Sequence, residues 1–77
     1  MQERLSTLIS DMTPVLPEGV IAHLRSLFNA CEFSLALEEL CAYIGEADYK
    51  LGAEQRQLIE LLGNKLAVDP RWWKALP

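Results

Sequence analysis

Between Arg25 and Lys50 the chain has no lysine or arginine, and it is poor in most of the residues that carry chemistry. It has one histidine, two cysteines, and two each of tryptophan, tyrosine and phenylalanine in 77 residues. His23, Cys31 and Cys41 form no CxxC or HExxH grouping, so no metal site is expected. His23 has no serine or cysteine at a spacing that makes a nucleophile pair, and it lies about 60° off the apolar stripe of its helix. It is expected as a polar residue at the core boundary. Glu38 and Glu39 are adjacent, diverge by about 100° on a helix, and so make no facing acid/base pair. No catalytic residue and no cofactor is assigned.

No apolar run approaches the roughly 18 residues of a membrane span. The first residues also lack the basic and then apolar run of a signal peptide, so a reducing cytoplasm is expected. Cys31 and Cys41 are ten residues apart. On one helix that is about 15 Å of rise, beyond the reach of a disulfide, and both thiols are expected as small core hydrophobes. The shortage of positive charge leaves a net charge of −4, which disfavours a nucleic-acid or anionic-membrane partner.

What is present is apolar material with helical spacing. At 51% hydrophobic and 23% charged residues, the chain can build the continuous core that a single small domain, residues 1–77, requires. No strand pattern and no repeat is found. Leu5, Leu8, Ile9 and Met12 mark a first helix over about residues 2–12, stopped by Thr13-Pro14. Pro17 suits the first turn of a second helix that carries Val20, Leu24, Leu27 and Phe28, with Ile21 at the margin, and frays near Asn29. A third helix over about 32–47 groups Phe33, Leu37, Leu40 and Ile44, with Ala36, Cys41 and Ala47 at the margins. It should be the centre of the core. A fourth helix begins after Leu51 or Gly52, with Glu54 and Gln55 in its first turn, Lys65 in its last, and Leu58, Ile59, Leu62 and Leu66 on its apolar face. Asp69-Pro70 starts a short final turn holding Trp72 and Trp73. The fold class is therefore all-α, a bundle of four helices plus a C-terminal helical turn.

Arg71-Trp72-Trp73-Lys74 has the make-up of a strip that stacks on single-stranded nucleic acid. The net negative charge opposes that use. The pair of indoles is expected instead to close one end of the bundle, with at least one of them largely buried.

Charge is distributed unevenly. Residues 1–25 hold two basic and three acidic side chains, residues 26–49 none and five, and residues 50–77 five and three. Glu32, Glu39 and Glu46 recur every seven residues and line one side of the third helix, with Tyr43 beside them; Glu38 and Asp48 complete the acidic set. Within the third helix none has the basic partner at i, i+4 that relieves exposed acidic helices; Lys50, four after Glu46, lies past its end. Such a surface is either simply solvated or the docking face for a cationic partner.

The run Glu32-Phe33-Ser34-Leu35-Ala36-Leu37-Glu38-Glu39-Leu40-Cys41, the helix opening near Gly52-Ala53-Glu54 and the tail Asp69-Pro70-Arg71-Trp72 resemble the small MafI-like immunity proteins of bacterial polymorphic and contact-dependent growth-inhibition toxin systems. The resemblance covers about residues 30–76. Half of the motif is apolar helix positions, and Cys31 stands where the family pattern has glycine. The resemblance implies a small cytosolic protein that binds and neutralises a cognate toxin domain, commonly a nuclease. A nuclease cleft must hold phosphates and is therefore basic, so resemblance and charge distribution converge on the acidic helix edge. The expected partner-binding residues are Glu32, Glu38, Glu39, Tyr43, Glu46 and Asp48, with Tyr43 as an anchor. The competing expectation is a self-associating helical adaptor, based on Leu35, Leu61 and Ile21 lying off the assigned core stripes.

Overall fold

Proline and glycine placement divides the chain as the spacing predicts. The computed structural model describes residues 2–77, in which α1 (Gln2–Asp11), α2 (Glu18–Asn29), α3 (Phe33–Glu46) and α4 (Ala53–Lys65) are followed by a 3-10 turn (Pro70–Trp72). Among the described residues there is no strand. Pro17 stands one position earlier than expected, at the N-cap of α2, where its carbonyl accepts from the N–H groups of Val20 and Ile21 at 3.0 and 3.1 Å. At the start of α4 the Gln55 side chain reaches back to accept from the Gly52 N–H at 3.1 Å, one half of a capping box. The Asp69 carboxylate accepts from the Arg71 N–H at 3.0 Å and opens the last turn, as Asp-Pro predicts.

Three of the four helices end in the same way. After α2, α3 and α4, the residues Cys31, Asp48 and Ala67 adopt φ of 61°, 53° and 55°. Each time, the N–H of that residue bonds three back, at Phe28, Gly45 and Asn64. The following N–H, of Glu32, Tyr49 or Val68, bonds five back, at Leu27, Ile44 and Gly63. This is the Schellman arrangement, which satisfies the last carbonyls and usually places glycine in the left-handed position. Here a cysteine, an aspartate and an alanine hold it instead.

The core is continuous. Leu5, Leu8, Ile9 and Met12 from α1 and its exit meet Leu24 of α2, Leu37, Leu40 and Ile44 of α3, and Ile59 and Leu62 of α4, all essentially without exposure. α3 packs against α1, α2, α4 and the final turn, so it is the centre of the core as its apolar density predicts. Trp73 closes one end. Its indole is 7% exposed and donates to the Val68 carbonyl at 3.2 Å. The ring lies directly on Gly63, where an added Cβ would come within 2.8 Å of ring atoms Cδ1 and Cε2. Gly63 is therefore required by the close approach of the indole.

Three expectations are corrected. Cys31 is exposed, because the left-handed cap turns it out of the bundle; only Cys41 is buried. Burial pushes the Cys41 thiol up to about 12, since an apolar site disfavours the thiolate. Ile21 is buried, at 8% exposure, while Val20, Leu27 and Phe28 are half-buried, so α2 is rolled toward Ile21 and Leu24. Ala47, expected at the core margin, is exposed beyond the end of α3. Leu35 and Leu61 remain outside the core at 40% and 37% exposure.

Candidate partner-binding edge

The short connection between α2 and α3 makes them an antiparallel hairpin. Phe28 and Phe33 meet edge to face near the connection, with ring centroids 5.2 Å apart. Further along, His23 of α2 comes opposite Glu39 of α3, with 2.7 Å between Nε2 and Oε1. At the far end Leu16, Pro17 and Val20 face Tyr43, Glu46 and Ala47 across an open groove of about 300 Å³. The register thus carries α3 residues at intervals of three and four along one edge of α2.

This edge unites only part of the expected set. Glu39, Tyr43 and Glu46 lie along it, with Tyr43 half-buried against the core and Glu46 exposed. Glu32 is the exposed N-cap of α3 on the same line, and its N–H closes the α2 cap. Glu38 belongs to the opposite flank. It shares a line with Ser34, whose hydroxyl donates to the Leu66 carbonyl at 3.0 Å, and with Gly45, whose Cα faces Leu76. Asp48 sits past the helix end in the left-handed cap. One acidic helix face therefore becomes an α2-facing edge, a separate glutamate toward α4, and an acidic terminus.

Sequence reasoning missed His23 as a partner for Glu39, along with the apolar walls Leu16, Pro17 and Val20. The signal for both was the hairpin register, which becomes readable once Phe28 and Phe33 are paired across the connection. Glu39 therefore has a hydrogen-bonded neighbour that no i, i+4 search on α3 finds. Both side chains are partly exposed, at 48% and 31%, so the pair adds little to stability. Among the described residues no lysine, arginine or histidine lies within 4.0 Å of Glu32, Glu38, Glu46 or Asp48; the other ion pair there joins Arg71 to Asp69.

Comparison with protein-family models, curated proteins and solved structures gives no match to this chain. The site therefore rests on its own physics.

Glu46 occupies the last turn of α3 and Asp48 follows it, while that last turn holds no basic residue. The carbonyl end of a helix carries partial negative charge, so carboxylates there are unfavourable by about 0.3–1 kcal/mol each. The edge combines an aromatic side chain, an apolar groove and carboxylates in excess of the cations near them, a surface suited to binding a cationic protein. Among the described residues no group of three histidine, cysteine, aspartate or glutamate side chains could hold a metal ion, and no helix is long and apolar enough to cross a membrane.

Proposed function

We propose that this chain is an immunity protein, a cytoplasmic binding module without catalysis that neutralises a cognate toxin domain. Its partner is basic, a nuclease and in the first instance an RNase, and it contacts neither nucleic acid nor membrane. The observation that carries the reading is the acidic end of α3. Glu46 and Asp48 stand where they oppose the helix dipole and where none of the described cations reaches them. The helix gains no dipole stabilisation from carboxylates placed there, whereas a basic partner gains a charge to bind. An acidic edge laid on a phosphate-binding cleft competes with the nucleic acid and speeds encounter between toxin and inhibitor. Tyr43, half-buried among the charges, is suited to the anchoring role that aromatic residues take in interfaces.

The test is functional. A large secreted protein encoded beside this chain is expected to end in a domain that kills cells unless the chain is co-expressed, and the two are expected to co-purify. Death of the cells despite co-expression, with no complex recovered, contradicts the reading. Self-association is the second reading. Ile21 no longer supports it, being buried, but Leu35 and Leu61 are exposed. A purely monomeric sedimentation profile at micromolar concentration removes it.

A further inference from the structure

The groove between the start of α2 and the end of α3 has walls of two kinds. Leu16, Pro17, Val20 and Ala47 are apolar, while Tyr43 offers a ring and Glu46 a carboxylate. The local charge is one-sided: Glu18 lies in the first turn of α2, Glu46 in the last turn of α3, and Asp48 just beyond. The positive end of α2 is thus already met by its own glutamate, while among the described residues no cation meets the negative end of α3. An apolar anchor seated here would desolvate Glu46 without giving it a partner, which is costly. A lysine would satisfy the charge but make poor use of the ring. Arginine meets both requirements, because its stem packs on apolar walls while its planar head stacks on an aromatic face and grips a carboxylate through two N–H groups.

We propose that this groove is the receptor for a single arginine side chain of the basic partner protein, with Leu16, Pro17 and Val20 holding the stem, Tyr43 the guanidinium face, and Glu46 its N–H edge. The assignment rests on the reading of α3 as a docking edge, and it goes further by naming the position and the chemistry of the central contact. Glu39 is less suited to that contact because His23 already engages it.

Hexa-arginine and hexa-lysine peptides, titrated at low salt into the isotopically labelled protein and followed by amide NMR shifts, provide the test. Hexa-arginine should bind several-fold more tightly than hexa-lysine, with its shifts centred on Val20, Tyr43, Glu46 and Ala47. Glu46→Gln, an exposed and nearly isosteric change, should weaken hexa-arginine by about two- to fivefold. Tyr43→Leu should erase the preference for arginine over lysine. Binding with shifts along Glu32 and Glu39 and a silent groove overturns the receptor while leaving the acidic edge standing. Equal binding of the two peptides at the groove overturns the arginine assignment. Failure of both peptides to bind overturns the receptor and the docking edge together.

Discussion

The acidic and basic regions of this small protein use their charges differently. In residues 50–77 four of the five cations, all but Lys50, are engaged within the described part of the fold. Arg56 donates to the carbonyls of Leu76 and Pro77 and so ties the last residues to α4. Arg71 pairs with Asp69 at 3.6 Å and stands over the Trp72 ring at 5.8 Å, while Lys74 stands over Trp73 at 5.9 Å. Lys65 lies in the last turn of α4, where the dipole favours it. Among the described residues, Glu39 alone of the acidic side chains in 26–49 has such a partner. Glu46 and Asp48 work against the helix they terminate. The comparison teaches that a small domain's net charge is less informative than whether its charged groups have partners within the fold.

The basic end should therefore fail structurally when altered, and the largest effect is expected there. Trp73→Ala removes the buried closure and should cost about 3–5 kcal/mol, a large share of the stability of a domain this small. Gly63→Ala raises helix propensity, yet it should destabilise by about 1–3 kcal/mol, because its Cβ collides with the Trp73 ring. Chemical denaturation of both variants checks these values. Either variant melting like the parent would break the view of that end as bundle closure.

A smaller effect of opposite sign distinguishes the helix ends. Ala67→Gly and Asp48→Gly each relieve a left-handed residue and should stabilise by about 0.5–1 kcal/mol. At Asp48 the left-handed relief is smaller, because aspartate tolerates that conformation better than alanine, but the change also removes a carboxylate from the negative helix end, so the gain at Asp48 alone should shrink as salt rises. A gain at Asp48 that does not change with ionic strength would mean that its charge costs the fold nothing.

The smallest expected effect, with no change in stability, is chemical. In the folded protein one thiol, Cys31, should react with a disulfide reagent near neutral pH. Cys41 should react only on unfolding, since it is buried and its thiol is pushed up to about 12. Two fast thiols in the native state would contradict the position of Cys41.

Much of this architecture was legible in the sequence. Pro14, Pro17, Gly52 and Pro70 mark boundaries through backbone constraints that act locally, so the four helices and the final turn stand within a residue or two of their expected places. The apolar density of α3 likewise identified the centre of the core. Other features depend on contacts that no local pattern encodes. The apolar arc of α2 is wide enough for several rolls, and only its neighbours select the one that buries Ile21. The buried connector residues Leu16, Leu51 and Val68 have no periodicity to reveal them. Cys31 departs from its expected burial because a helix cap, rather than a hydrophobic stripe, sets its direction. At the candidate site, the acidic charge was legible as composition and spacing. The division of Glu38 from Glu39, the His23 contact and the groove beside Tyr43 all required the hairpin register.

The central claim is that the acidic end of α3 serves a partner at the expense of the fold. The most direct measurement is the dissociation constant of the Glu46→Lys variant with the proposed toxin partner, taken beside the variant's own folding stability. The account predicts binding weakened by about tenfold or more, reduced salt dependence, and stability equal to the parent or higher by up to about 1 kcal/mol. Unchanged affinity together with lower stability would contradict it, and would place Glu46 among the residues that hold the fold.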